Sequence, residues 1–250
     1  MERVPVWTEN RMVRFGSIDT SNSLTLNAVF DFFQEAAISH ADNLGVGRGA
    51  LAKANQAWIL SRMSVLVDRR PLYGETLTVR TWPRGSEKLF ILRDYDIRDS
   101  DDIPVVRARS CWLIIDMEKR RPLRPQSIID GLPLNDGMDA LPRAACPTER
   151  TNLTEKAKRR ALYTDLDYNG HVNNVSYIRW IEDALSPGLP EKAQQMRLDI
   201  NYMNEILPGE VTAILSAKIE DTAGDSFFGA FEGRKAQGET AFRAELRLWF

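Results

Sequence analysis

The sequence predicts an α+β fold in which one structural unit occurs twice along a chain of 250 residues. The first observation is a repeat: Gly74 and Glu75 recur as Gly209 and Glu210, 135 positions later, within longer stretches that match in the same order. The second is that each copy holds one segment with apolar residues at steps of three and four, which indicates a helix. The third is that strand-like segments and turn signals follow each helix. One helix followed by several strands is an α+β layout.

Two helices are predicted from these apolar positions. The buried stripe consists of Phe30, Phe33, Ala37, Ala41 and Leu44 in the first copy, and of Val175, Ile178, Ile181 and Leu185 in the second. Asn27 and Asn174, 147 positions apart, are the expected N-caps. An asparagine side chain at that position accepts a hydrogen bond from one of the first free N–H groups of the helix.

The two copies are expected at residues 1–118 and 155–250, joined by a connection at 119–154. The connection is rich in proline and has no sustained periodicity, which is typical of a long loop. A single central helix wrapped by an antiparallel sheet is the hotdog fold. The sequence therefore predicts a double hotdog.

The composition excludes several classes of protein. The formal net charge is −2, from 33 basic and 35 acidic residues, which argues against a general nucleic-acid binder. No stretch approaches the roughly 18 uninterrupted apolar residues that a membrane helix needs. Cys111 and Cys146 are too few for a disulfide framework and lack metal-ligand spacing. The N-terminal residues have neither a secretory nor a transit-peptide pattern, so we expect a cytoplasmic protein.

Polar residues gather just before the second helix, in "DLDYNGHVNN" (165–174). Asp167, Asn169 and His171 occupy alternate positions there, and Glu205 follows in a later strand block. The helix alignment places Thr20, Asn22 and Leu24 of the first copy opposite the first three, and the strand alignment places Arg70 opposite Glu205. Only the second copy then carries two acids, an amide and an imidazole, which are groups used in general acid–base catalysis.

A turn followed by a helix cap is the alternative interpretation. Asn169-Gly170 is a favoured turn dipeptide, His171 is then a structural hydrogen-bond donor, and Glu205 is a solvated residue at a strand end. The start of the helix favours chemistry instead. We expect the N–H groups of residues 172–174, together with the helix dipole, to stabilise a developing negative oxygen.

The segment "DLDYNGHVNNVSYIRWIEDA" (165–184) closely resembles the second-repeat motif of the acyl–acyl-carrier-protein (acyl-ACP) thioesterases of plants and bacteria. "AWILSRMSVLVDRRPLYGETLTVRTWP" (57–83) is similar to the first-repeat strands of that family. The likeness covers roughly residues 10–120 and 155–215. It implies a double hotdog that hydrolyses the thioester between a fatty acyl group and its carrier protein, releasing free fatty acid. A bacterial member acting in the cytoplasm fits this resemblance.

The resemblance also implies roles for individual residues. Carried over by position, Asp167, Asn169, His171 and Glu205 are the catalytic set. Glu205 is expected to act as general base, and Asn169 to position the attacking water or the substrate carbonyl. His171, oriented by Asp167, would hydrogen-bond Glu205 or the water. The roles of Glu205 and His171 are interchangeable at this point.

One position departs from the plant members of the family. Ile206 stands where they carry a cysteine, so the resemblance implies no covalent acyl-cysteine at this position. No cofactor is implied either. A metal site is disfavoured, because the second histidine, His40, lies in the helix of the other copy.

Substrate and carrier contacts are the last expectations. The residues expected to bind substrate are Val172, Asn173 and Asn174 at the helix start and Phe32, Phe33, Trp58 and Met63 in an acyl slot shaped by the first copy. Ordinary core positions are the alternative for the second group. The basic run Lys156, Lys158, Arg159 and Arg160 is the candidate docking surface for the acidic carrier, against the alternative of a solvated face. A homodimer is left open.

Three other functions are compatible with such a sequence. An acyl-CoA thioesterase of the same superfamily would share the catalytic residues but accept a different thiol group. A non-catalytic acyl-binding hotdog protein would not need these polar residues in one copy. A hydratase acting on unsaturated acyl thioesters would release no free thiol.

Overall fold

The computed structural model describes residues 2–124, 126–142, 146–219 and 225–250. The first copy contains β1 (Trp7–Met12), α1 (Leu26–Asn43), α2 (Arg48–Lys53), β2 (Gln56–Val67), β3 (Thr76–Glu87), β4 (Phe90–Arg98) and β5 (Pro104–Asp116). The connection contains β6 (Arg121–Leu123) and α3 (Gln126–Asp130). The second copy contains β7 (Thr154–Arg160), α4 (Asn174–Glu182), α5 (Leu189–Lys192), β8 (Gln195–Tyr202), β9 (Val211–Ile219), β10 (Ser226–Lys235) and β11 (Thr240–Trp249). Each copy contains the predicted main helix and an antiparallel sheet. The main helix is long in the first copy (α1) and shorter in the second (α4).

The strands of the described residues form one antiparallel sheet that is symmetric about its middle. Ten strands follow in the order β1-β3-β4-β5-β2-β8-β11-β10-β9-β7, and β6 pairs with β5 outside this path. When the strands are followed outward from the centre, each strand of the first copy occupies the same position in the order as its equivalent in the second. The two copies join where β2 and β8 pair, and there the Ser64 hydroxyl donates a hydrogen bond to the Asp199 carboxylate.

Each of the two main helices begins at a capping side chain. The Thr25 hydroxyl accepts from the Ala28 N–H at 3.4 Å, and the Asn173 side-chain oxygen accepts from the Val175 N–H at 2.9 Å. Both capping residues have extended backbone, as an N-cap requires. The prediction of Asn27 and Asn174 as N-caps was therefore wrong, since both lie within the first turn. The second helix ends at Glu182, before Leu185.

The loops that precede the two helices have matching backbone hydrogen bonds at residues separated by 148 positions. The Asp19 N–H donates to the Ser23 carbonyl at 3.0 Å, and the Asp167 N–H donates to the His171 carbonyl at 2.9 Å. A residue with positive φ lies inside each loop, and Asn22 (φ 65°) is matched by Gly170 (φ 77°). The same backbone geometry thus occurs twice, at residues 19–23 and 167–171.

This register corrects the alignment of the two copies. The residues equivalent to Asp167, Asn169 and His171 are Asp19, Ser21 and Ser23, and not Thr20, Asn22 and Leu24. The first copy has therefore kept the acid of the loop and lacks the amide and the imidazole. The strand register of 135 is confirmed, because the N–H groups before the two helices, of Leu24 and Val172, donate to the carbonyls of Pro71 and Ile206.

Helices α1 and α4 pack against each other inside one hydrophobic core that both copies share. A smaller cluster of Leu44, Leu51, Ile91, Ile114 and Leu132 lies beside it. Leu132 belongs to the connection, part of which is attached to the first copy by hydrogen bonds. For example, the Trp82 indole donates to the Met138 carbonyl at 2.8 Å. No helix among the described residues has both the length and the apolar character needed to cross a membrane.

Candidate active site

A cavity of about 910 Å³ lies between the two copies. The first copy lines it with residues of α1, of the loop before α2, and of strands β2, β4 and β5. The second copy lines it with the 167–171 loop, the start of α4 and residues 202–205. All four predicted catalytic residues, Asp167, Asn169, His171 and Glu205, are among the lining residues.

The Asp167 carboxylate holds Asn169 in place. One oxygen accepts from the Asn169 backbone N–H at 2.8 Å, and the other accepts from the Asn169 side-chain amide at 3.2 Å. Gly170 follows with φ 77°, a backbone conformation that glycine adopts without strain. The expectation that Asp167 orients His171 through a side-chain contact is replaced by this contact with Asn169. Asp167 reaches His171 only through the backbone hydrogen bond that closes the loop.

The side chains of His171 and Glu205 lie next to each other in the wall of the cavity. The His171 Nδ1 lies 3.5 Å from the Glu205 Oε2, and both side chains are about one third exposed, at 35% and 38%. The other carboxylate oxygen of Glu205 accepts a hydrogen bond from the Arg120 Nη2 at 2.8 Å. An acid and an imidazole at this separation can share one water molecule or one proton.

The start of α4 offers one free donor where three were expected. The Val172 N–H donates to the Ile206 carbonyl at 2.9 Å, and the Asn173 N–H donates to the Asp165 carbonyl at 2.8 Å. Val172 and Asn173 line the cavity, but their N–H groups are not available to a substrate oxygen. The Asn174 N–H, the first of the helix, donates to no acceptor within the described part of the chain.

The apolar lining differs in part from the expected acyl slot. Trp58 lines the cavity, and its indole N–H is fixed by the Val46 carbonyl at 2.8 Å. Phe32, Phe33 and Met63 are instead buried in the main core and are not lining residues. Their sequence pattern is the same for a core and for a slot, so the pattern could not separate the two. The apolar wall is formed by Ala37, Ile59, Leu60, Ile91, Trp112 and Leu132.

Several lining residues were missed by the sequence analysis. Arg120 contacts Glu205, which lies 85 positions away in the sequence, and no local sequence pattern predicts this contact. Arg48 lies with its guanidinium 3.8 Å from the centre of the Tyr168 ring, within the 167–171 loop. Arg93 is buried, lines the cavity and donates to the Nδ1 of His40 at 3.0 Å. Burial, with the nearby Arg93 charge, lowers the pKa of His40 to about 4, so this histidine is neutral at physiological pH.

The equivalent place in the first copy is filled by an ion pair. Arg70, at the position of Glu205, is buried and contacts the Asp19 carboxylate directly. It also donates to the Ser21 hydroxyl at 3.3 Å and to the Pro190 carbonyl at 3.1 Å. Asp19 meanwhile accepts from the Ser21 N–H at 2.9 Å, as Asp167 does from Asn169. The loop is preserved, and a buried cation stands in place of the open acid.

The basic run lies on the outermost strand of the second copy. Lys156, Lys158 and Arg160 are exposed on β7, at one edge of the sheet. Arg159 is partly neutralised, because it donates to the Asp183 carboxylate at 2.9 Å. Lys158 lies 3.8 Å from Glu155.

Two family models match the chain. The acyl-ACP thioesterase N-terminal domain matches residues 5–130, and the acyl-ACP thioesterase C-terminal domain matches residues 148–248. The chain belongs to the acyl-ACP thioesterase family. A chloroplastic palmitoyl-acyl carrier protein thioesterase of Arabidopsis thaliana is 30% identical over 226 residues, which cover 85% of the chain and 55% of that protein. A chloroplastic acyl-[acyl-carrier-protein] hydrolase of Cuphea viscosissima is 26% identical, with coverage of 95% and 63%. The chain thus spans about three fifths of the length of these relatives or less.

Solved structures show the same fold. An acyl-ACP thioesterase from Bacteroides thetaiotaomicron matches with a TM-score of 0.86 and 24% identity, covering 97% of both chains. The 12:0-ACP thioesterase from Umbellularia californica matches with a TM-score of 0.80 and 21% identity, covering 97% of this chain and 93% of that one. The predicted double hotdog is confirmed by these matches.

Proposed function

We propose that the protein hydrolyses the thioester of a fatty acyl-ACP and releases the free fatty acid. The observation that carries the proposal is the convergence of Asp167, Asn169, His171 and Glu205 on one cavity beside the free N–H of Asn174. Membership of the acyl-ACP thioesterase family supports the choice of substrate. The apolar wall of the cavity suits an acyl chain, because an apolar chain gains free energy when it leaves water.

In the proposed reaction a water molecule attacks the thioester carbonyl carbon. Glu205 accepts the proton of that water, with His171 as its partner in the proton transfer, and the carbonyl electrons move to the oxygen. The tetrahedral intermediate then collapses, the carbon–sulfur bond breaks, and the proton passes to the leaving thiolate. Asn169, held by Asp167, orients the water or the carbonyl. Arg120 occupies one oxygen of Glu205 and so leaves the other oxygen for His171 and the water.

The two copies divide the work in this proposal. Residues 1–118 supply most of the acyl slot, including Trp58, and residues 155–250 supply the catalytic groups. The connection, 119–154, contributes Arg120 and Leu132 to the cavity. We further propose that the acidic carrier docks on the basic side chains of β7, namely Lys156, Lys158, Arg159 and Arg160. A bacterial cytoplasm is the proposed compartment, and its reducing conditions suit Cys111 and Cys146, which form no disulfide with each other.

The experiment that tests the function is turnover of a panel of acyl-ACP substrates of different chain lengths beside the matching acyl-CoA thioesters. Release of thiol and of fatty acid is measured in parallel. We expect both products in equal amounts and a higher kcat/KM for the carrier-bound substrates. A preference for acyl-CoA would favour an acyl-CoA thioesterase. Consumption of an unsaturated substrate without release of thiol would indicate a hydratase, and binding without turnover a non-catalytic protein.

A further inference from the structure

Helix α4 closes the start of helix α1 with a carboxylate. Glu182, the last residue of α4, accepts from the Leu26 N–H at 2.8 Å with one oxygen and from the Asn27 N–H at 3.1 Å with the other. Burial raises the pKa of Glu182 to about 7, although these two donors favour the ionised form. The first free N–H groups of α1 are therefore occupied by a side chain that the other copy provides.

The internal symmetry identifies what stands at the same place beside the start of α4. With the separation of 148 positions, the Leu26 N–H corresponds to the Asn174 N–H, and Glu182 corresponds to Gln34. Gln34 and Asn174 line the same cavity as His171 and Glu205. Gln34 is half-buried, and its amide makes no hydrogen bond to another described residue.

The exchange of a carboxylate for an amide adds hydrogen-bond donors at this position. A carboxylate only accepts hydrogen bonds, so Glu182 takes up the N–H groups of α1 and repels a second negative oxygen. An amide carries an acceptor oxygen and also two N–H donors, so Gln34, which makes no hydrogen bond to the Asn174 N–H, can add a donor of its own. Two donors beside one helix start, in a cavity with an acid–imidazole pair, suit an oxygen that gains negative charge.

We propose that Gln34 is a catalytic residue that binds the substrate carbonyl oxygen together with the Asn174 N–H. This inference rests on the proposed thioester hydrolysis and names the group that stabilises its intermediate. As water adds to the carbonyl carbon, the electron pair moves to the oxygen, and both donors tighten on it. When the carbon–sulfur bond breaks, the pair returns, and the product carboxylate keeps the same two donors. The first copy thereby supplies a reacting group to the active site of the second.

The test compares Gln34→Ala and Gln34→Met, which remove the donor, with Asp31→Ala as a matched control on an exposed position of the same helix. Loss of one such donor typically lowers kcat by about 10²–10³-fold. We expect a loss of that order in both Gln34 variants, with KM changed less than about threefold. Asp31→Ala should retain wild-type kcat. Melting temperatures, measured for all proteins, establish that the variants are folded, and the methionine variant preserves the bulk of the side chain.

Gln34→Glu provides a second readout that a structural role would not change. The new carboxylate should take up the Asn174 N–H, as Glu182 does in the other half, and lower kcat further at pH 8. Protonation restores a donor, so kcat relative to the wild-type protein should recover as the pH falls. If the wild-type protein hydrolyses acyl-ACP and Gln34→Met keeps its kcat within threefold, the role of Gln34 is overturned and the proposed function stands. If the wild-type protein itself releases no thiol, both fall.

Discussion

The loops at 19–23 and 167–171 have the same backbone geometry but different side-chain contacts. In the first copy the Arg70 cation reaches into the loop and pairs with Asp19, so the two charges compensate each other and are largely shielded from water. In the second copy the equivalent position holds Glu205, which cannot pair with Asp167, and Asp167 binds Asn169 instead. Glu205 is left facing His171 and the cavity. The difference shows that this scaffold holds a structural ion pair or a candidate reaction centre according to the residues at the positions of Asn169, His171 and Glu205.

The largest expected effect is on the kcat of variants in the second copy, where Glu205 faces the cavity. Glu205→Gln keeps the shape of the side chain and removes the proposed base. General-base assistance is worth about 10²–10⁴ in rate, so kcat should fall by that factor with little change in KM or melting temperature. His171→Ala should give a similar loss, and the double variant much less than the product, because both groups act on one water. Steady-state kinetics on acyl-ACP measures this. A near-normal kcat in Glu205→Gln would contradict the assignment of the base.

Changes to the ion pair of the first copy should instead lower the free energy of unfolding. Arg70→Met leaves the Asp19 carboxylate buried without its cation, which typically destabilises a protein by about 3–5 kcal/mol. We expect a loss near the lower limit, measured by urea unfolding, because the Asp19 side chain keeps 17% exposure and the Ser21 N–H as a donor. The double variant Arg70→Met/Asp19→Asn should recover much of that loss. Equal loss in the single and the double variant would mean that the ion pair is not what stabilises this loop.

The edge strands give the next comparison. Lys158, Arg159 and Arg160 on β7 correspond to Asn10, Arg11 and Met12 on β1, so the positive charge is concentrated on the second copy. Changing Lys158, Arg159 and Arg160 to Glu should raise the KM for acyl-ACP by about tenfold, since each exposed charge pair is worth only about 0.2–1 kcal/mol.

Turnover of a small thioester without a carrier should stay unchanged in that variant, and Arg11→Glu on β1 serves as the control. The KM of the wild-type protein for acyl-ACP should also rise with salt, because exposed charges are screened beyond about 10 Å at 0.1 M. A parallel loss on both substrates would place the carrier on another surface.

The smallest effect is expected at the first copy's equivalents of the proposed catalytic amide and imidazole. Ser21→Ala and Ser23→Ala should leave kcat within about twofold of wild type, because general acid–base assistance requires a group that titrates near the working pH. The same kinetic assay measures this. A large fall in kcat in folded protein would show that the first copy is also a reaction centre.

The sequence was sufficient for features that repeat locally. The apolar stripe of α1, the turn signals and the collinear repeats predicted the double hotdog, and the alternation of Asp167, Asn169 and His171 predicted a loop that brings them to one cavity. The loop register was wrong by one residue. Identical residues at Asn27 and Asn174, and at Glu35 and Glu182, favoured a separation of 147, whereas the backbone hydrogen bonds require 148.

Contacts between distant segments could not be predicted. Whether the Asp167 carboxylate reaches the ring of His171 or the amide of Asn169 depends on distances within a tight turn, which spacing alone does not determine. The approach of Arg120 to Glu205 depends on how the connection leaves β5. Phe33 and Trp58 are both large aromatic residues, and only the packing of α1 against the sheet places one in the core and the other at the cavity.

The junction of β2 and β8 at the centre of the sheet has a consequence for how the chain folds. Residues 62–67 of β2 and 196–201 of β8 form their backbone hydrogen bonds along this edge with the strand of the other copy. A fragment containing only one copy would present that edge to solvent, and an unpaired central strand is a template for association with another chain. Gene fragments encoding one copy alone should therefore yield aggregates or self-paired dimers. The full chain avoids this outcome because its partner edge is always present at high local concentration.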